Sequence, residues 1–93
     1  MTTNCIIDEE FAFYVRHSID VGTLEDMRRA FYLANITSPD TDLTNDDLEV
    51  DWLKEESSIT TTNNASDLWY QWLSPTYGDL TVDDLKLQYY INN

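Results

Sequence analysis

The chemistry-bearing residues of this chain are carboxylates. Between residues 40 and 56, Asp40, Asp42, Asp46, Asp47, Glu49, Asp51, Glu55 and Glu56 stand against Lys54 alone. On a helix, Asp47, Asp51 and Glu55 fall at i, i+4 and i+8 and line one face about 6 Å apart. Like charges at that spacing cost helix stability. A local cost without an evident structural return marks a place to look for function. Such a row can stand in for the successive phosphates of a nucleic-acid strand. It also reads as a solvated face that keeps a small protein soluble.

Other chemistry has less support. Asp40, Asp42 and Thr44 supply oxygens at the first, third and fifth positions of a calcium-type loop, with Asp51 at the twelfth. Asn45, however, stands where that loop needs Gly, and Asp51 is shorter than the bidentate Glu. His17 is the sole histidine and reads as a partly packed side chain. Cys5 has no neighbouring cation to lower its pKa. No Gly-rich phosphate loop, zinc-ligand spacing or nucleophile elbow is present. The expectation is a protein that binds a partner, with no catalytic residue, no metal and no cofactor.

A second candidate surface is aromatic. Trp69, Tyr70 and Trp72, with Tyr77, Tyr89 and Tyr90, read first as core, because Leu and Ile are scarce. Trp and Tyr also dominate interface hot spots, so Tyr70, Trp72, Tyr77 and Tyr90 form an alternative partner-binding set. Both readings hold together if Trp69 and Trp72 are buried and Tyr70, Tyr77 or Tyr90 lies at the rim.

Composition sets the frame for both surfaces. The 93 residues carry 18 Asp and Glu against 5 Lys and Arg, a formal net charge of −13. Disorder would explain such a charge, but 42% hydrophobic and 13% aromatic content argues for a folded chain. The negative field attracts basic partners. It repels nucleic acid itself and anionic membrane surfaces. One Cys fits a reducing compartment. MTTNCIIDEE has neither a basic start nor an apolar run, and no stretch approaches membrane-spanning length. A cytoplasmic protein is expected, in a host cell if phage-encoded.

The elements that must position these residues read as helices. Only two Gly and two Pro punctuate the chain. Thr23, Thr44 and Thr81 each precede an acid three residues on (Asp26, Asp47, Asp84), an imperfect capping box with Asp in place of Glu or Gln. Five segments follow. Asp8 to Ser18 presents Phe11, Tyr14, Val15 and Ser18 on one face, though Phe11, Phe13 and Val15 also alternate as a strand would. Thr23 to Asn35 presents Leu24, Met27, Phe31 and Ala34, with Arg28 and Arg29 beside them. Thr44 to Glu56 turns Leu48, Trp52 and Leu53 inward. Asp67 to Leu73 is short and ends before Pro75, which begins a turn to Asp79. Thr81 to Ile91 presents Val82, Leu85, Gln88 and Tyr89. Leu43 to Leu48 echoes Leu80 to Leu85, read foremost as two uses of common helix-start chemistry.

The expected fold class is mainly α: one domain over residues 1–93, a small bundle of about four to five short helices. The runner-up is α+β, with strands near the N-terminus and at 85–91. In charge and size the chain resembles the small acidic proteins that bacteriophages use to inhibit host nucleic-acid enzymes. That resemblance rests on no shared motif. It implies an acidic inhibitor or nucleic-acid mimic. Its face of Asp40, Asp42, Asp46, Asp47, Glu49, Asp51 and Glu55 would occupy the basic groove of a nucleic-acid-binding protein. The alternative is a small adaptor or structural subunit, with a homodimer as one arrangement, using the aromatic surface.

Overall fold

A computed structural model describes residues 6–93. Five helices follow one another: α1 (Ile6–Arg16), α2 (Leu24–Asn35), α3 (Asn45–Ser57), α4 (Ala65–Tyr77) and α5 (Val82–Asn92). No strand occurs among the described residues, so the strands considered near the N-terminus and at 85–91 do not form. Cys5 lies outside the described residues. No helix among them is long and apolar enough to cross a membrane.

Local chemistry starts α2, α3 and α5 where the sequence places them, while α1 and α4 each begin two residues before the expected Asp8 and Asp67. Thr44 and Thr81 accept from the amides of Asp47 and Asp84 at 3.3 and 3.2 Å. Thr23 accepts from Asp26 at 3.3 Å, and Asp26 Oδ2 accepts in return from the Thr23 amide at 3.1 Å. Of these three, only α2 therefore closes the full capping box; Asn64 caps α4 through the Asp67 amide at 3.1 Å.

The helices form a closed ring. Each packs on its neighbour in the chain, and α5 returns to pack on α1. The eighth residue of every helix is aromatic: Phe13, Phe31, Trp52, Trp72 and Tyr89. Their side chains make a closed circuit at the centre, with successive ring centroids 5.1, 5.3, 5.9, 5.1 and 5.5 Å apart. Edge-on and tilted pairs at these distances add about 0.5–1.5 kcal/mol each beyond area burial. Leu48, Leu68, Leu85 and Met27, each the fourth residue of its helix, are fully buried beside the circuit.

Contacts also set direction. Asn45, opening α3, bonds Glu25 near the start of α2, while the Thr37 amide beyond α2 bonds Glu55 late in α3. These two helices therefore run the same way. The connection from Ile36 to Thr44 travels back alongside, pinned by Arg29, which donates to the Thr41 and Leu43 carbonyls. Likewise Phe13 meets Tyr89 and Tyr90, and His17 Nε2 lies 2.9 Å from the Asn93 carbonyl oxygen, so α1 and α5 share a direction. Glu10 with Arg28, and Phe13 with Phe31, join α1 to α2 in the same register. By contrast Lys54, late in α3, bonds Asn63 just before α4, so α4 turns back against α3.

Three local expectations are corrected. The inward face of α1 is Glu10, Phe13 and Tyr14, whereas Phe11 and Val15 are 46% and 45% exposed. The α1 helix is rotated from the expected face because the aromatic circuit and Arg28 lie on the Glu10–Phe13 side. On α2, Ala34 is exposed and Tyr32 is buried. Pro75 lies inside α4 and does not end it. It removes one amide near the helix end, and α4 continues to Tyr77, capped by Gly78, whose amide donates to Ser74 O at 2.8 Å. Gly78 takes φ +100°, which glycine adopts without strain.

Candidate partner-binding end and polar cavity

The fifth residue of each helix builds a polar layer beside the aromatic circuit: Glu10, Arg28, Glu49, Trp69 and Lys86. Glu10 is 3% exposed. Arg28 donates to both its oxygens, Nε to Oε2 at 2.5 Å and Nη2 to Oε1 at 2.8 Å, and also reaches Glu25. Tyr14 Oη donates to Glu10 Oε2 at 2.6 Å. On the facing side, Glu49 Oε2 accepts from Trp69 Nε1 at 2.9 Å. Lys86 Nζ stands 3.9 Å from that oxygen and 5.5 Å from the Trp69 ring centroid. Glu10 and Glu49 thus each have a cation from another helix, the condition under which such buried charges are tolerated.

A cavity of about 190 Å³ opens in this layer, lined by Glu10, Glu25, Arg28, Tyr32, Asn45, Asp46, Glu49 and Lys86. Tyr32 is 3% exposed, and burial foremost pushes its pKa well above the usual phenol value, with Glu49 and Glu10 adding to the shift. Burial does the same to Tyr14 and Tyr90, the ninth residues of α1 and α5 as Tyr32 is of α2.

The expected acidic face is divided by this arrangement. Asp40, Asp42, Asp46, Asp47 and Glu55 are exposed, and Asp51 is half-buried. Glu49 faces inward on Trp69 and Lys86. Glu55 accepts the Thr37 amide on both oxygens at 3.1 Å, and Asp40 Oδ1 accepts the Asp42 amide at 3.0 Å. Asp47 and Asp51 share a shallow groove with Lys54. Because α3 begins at Asn45, Asp51 is carried along a helix away from Asp40 and Asp42. No group of three metal-ligating side chains gathers among the described residues.

The aromatic set is also divided. Tyr90 was expected at the rim; it is 2% exposed, packed against Phe13, Tyr14 and Trp69. Trp72 and Tyr77 are half-buried against the core. Tyr70 is 38% exposed, and its hydroxyl donates to Asp79 Oδ1 at 2.5 Å, which raises its pKa.

Sequence reasoning missed Glu10, Arg28, Tyr32 and Lys86. A signal was present. Arg28, Glu49 and Lys86 each lie five residues after a capping Thr, and Tyr32 and Tyr90 lie nine after. Aligning the helices on their caps brings these residues to common levels.

Every Lys and Arg in the chain has an internal partner. Arg16 donates to the Tyr90 carbonyl, Arg28 to Glu10, Arg29 to the 36–44 connection and Lys54 to Asn63, while Lys86 faces Glu49. Meanwhile every Asp and Glu except Glu9, Glu10, Glu49 and Asp51 is exposed. The shared direction of α1, α2, α3 and α5 brings their first-turn acids to one end: Asp8 and Glu9, Glu25 and Asp26, Asp46 and Asp47, Asp83 and Asp84. Comparison with known proteins adds no relative: no protein-family model, no curated protein and no solved structure matches this chain.

Proposed function

We propose that this protein binds a basic protein surface through its acidic end, in the manner of a nucleic-acid mimic that occupies the groove of a DNA- or RNA-binding protein. One observation carries the reading. The cations are drawn into contacts within the fold, so the outer surface presents acid with little to offset it. Four helices then deliver their first-turn acids to a single end. Acids there also suit the local helix dipoles, which accounts for one or two per helix. The gathering of four such pairs produces a field larger than any one helix needs, and such a field speeds encounter with an oppositely charged partner.

The contacts differ in emphasis from a single row. Asp46 and Asp47 remain outward, joined by Glu25, Asp26, Asp83 and Asp84, with Asp40 and Asp42 on the adjoining connection. Glu49 supports the site from within.

The test is capture of partners from the cells that make the protein, at about 50 and about 300 mM salt, where screening changes strongly. Nucleic-acid-binding proteins that are retained at low salt, and released both by high salt and by duplex DNA, fit the proposal. Capture insensitive to salt and unaffected by DNA would overturn it.

A further inference from the structure

We propose that the outward face of α1 docks a basic amphipathic helix of the partner, which lays its apolar side on Ile7, Phe11 and Val15. The proposal rests on the partner-binding reading above and adds a second contact surface beside the acidic end.

Apolar residues lie on two sides of α1. Ile6, Phe13 and Tyr14 pack inward. Ile7, Phe11 and Val15, at i, i+4 and i+8, share an outer face and are 55%, 46% and 45% exposed. No other helix leaves more than one large apolar side chain so open: Tyr70 on α4 and Ile91 on α5, with none on α2 or α3. A helix at the outside of a small fold ordinarily carries one apolar stripe and a polar back, whereas apolar residues all round mark a helix that is covered on both sides. Phe11 stands at the centre of the outer stripe, with Ile7 and Val15 one turn to either side. A row at fourfold spacing is a ridge along which a second helix packs, and amphipathic helices are recognised through such apolar faces.

Charge identifies the occupant. Ile7 adjoins Asp8 and Glu9, which lie in the first turn of α1 at the acidic end. Asp20 is exposed on the connection that leaves α1, beside Val21, which is 50% exposed. Arg16, the sole Lys or Arg of α1, is tied to the Tyr90 carbonyl. A helix laid on the stripe therefore meets carboxylates at its margins, which Lys or Arg beside its own apolar side would satisfy. A second copy of this chain would bring a like charge of −13 to the contact. Three half-exposed side chains also fall far short of the about 800 Å² per partner of a standard stable interface. The stripe supplies apolar area and the acidic end supplies the sign, and a basic amphipathic helix uses both.

The probes are two Leu–Lys peptides of about 14 residues, about four helical turns, equal in composition. One gathers its Leu on a single helical face and the other scatters it. Each is titrated calorimetrically into the full chain, and backbone amide shifts locate the contact. The one-faced peptide is expected to bind at least about tenfold tighter, with saturable shifts centred on Ile7, Phe11 and Val15. Phe11→Ser and Val15→Ser each weaken it about threefold to tenfold, with thermal melts close to those of the parent chain. Ile91→Ser, on the exposed side of α5, leaves it unchanged, and a one-faced Leu–Glu peptide binds far more weakly. Equal binding of the two Leu–Lys peptides, no response to Phe11→Ser, self-association of the chain that Phe11→Ser abolishes, or uptake of the chain by phosphatidylcholine vesicles would overturn the proposal. The titration contains no nucleic-acid-binding protein, so the two readings fail separately. One-faced binding at α1 alongside capture that ignores salt and DNA would leave the docking face standing and remove the nucleic-acid-mimic reading. Capture released by salt and DNA, alongside equal binding of the two Leu–Lys peptides, would do the reverse.

Discussion

Glu10 and Arg28, each the fifth residue of its helix, meet through two hydrogen bonds of 2.5 and 2.8 Å that tie α1 to α2. Glu10 is almost fully buried, so the pair is asymmetric in what its loss would do. Arg28→Met leaves a buried carboxylate without its cation and is expected to cost about 3–5 kcal/mol. Glu10→Met combined with Arg28→Met removes both charges and is expected to recover most of that loss. Urea unfolding of the two variants checks this; equal destabilisation of both would contradict the assigned role.

The rotation of α1 has a direct consequence. Phe13 belongs to the aromatic circuit and is 1% exposed, while Phe11 is 46% exposed. Phe13→Ala is expected to cost about 3–5 kcal/mol, and Phe11→Ala to stay within about 0.5 kcal/mol. Thermal or chemical unfolding of these single variants distinguishes the observed face from the one expected from spacing.

Helix starts can be ranked by their caps. Thr44→Ala and Thr81→Ala each remove one acceptor and are expected to cost about 1 kcal/mol. Thr23→Ala also disturbs the reciprocal bond of Asp26 and is expected to cost more. Gly22 precedes that box at φ +55°, and a Cβ there would collide with Asp26 Oδ2, so Gly22→Ala should damage the same cap. Circular dichroism melts of the four variants check the order.

Buried tyrosines give the fold an alkaline limit. Burial pushes Tyr89 up to about 12, pushes Tyr14 and Tyr90 higher still, and holds Tyr32 well above the usual phenol value. In the unfolded chain the same phenols titrate near about 10. Because the folded values are raised, their contribution is fully present below about pH 10. For Tyr89 it is lost as pH rises from about 10 through about 12. Tyrosinate absorbance from the buried residues should therefore rise together with loss of helical signal. Ionisation of all six tyrosines with the helices intact would refute this.

A substitution at Gly78 separates space from conformation. A Cβ there would meet nothing within 4 Å, yet φ +100° with ψ −176° is a region that only glycine enters freely. Gly78→Ala is expected to destabilise by about 1–3 kcal/mol, although no contact is lost. A neutral result in urea unfolding would mean that the α4–α5 link relaxes to another shape.

Sequence alone determined the helical class, the starts at Thr23, Thr44 and Thr81, and the inward turn of Leu48, Trp52 and Leu53. These depend on bonds spanning three residues or on apolar spacing within one helix. Both kinds of signal are local. It also determined that acid would dominate the surface, because five cations cannot offset eighteen acids. Tertiary structure decided the rest. The buried face of α1 depends on Arg28 and Phe31 lying across from Glu10 and Phe13, and Glu49 turns inward because Trp69 and Lys86 meet it there. Tyr90 leaves the rim because α5 returns to α1. The gathering of first-turn acids at one end follows from helix direction, which the connections and the aromatic circuit set. No cap or periodicity encodes direction, since each reports on a single helix and direction is a relation between two.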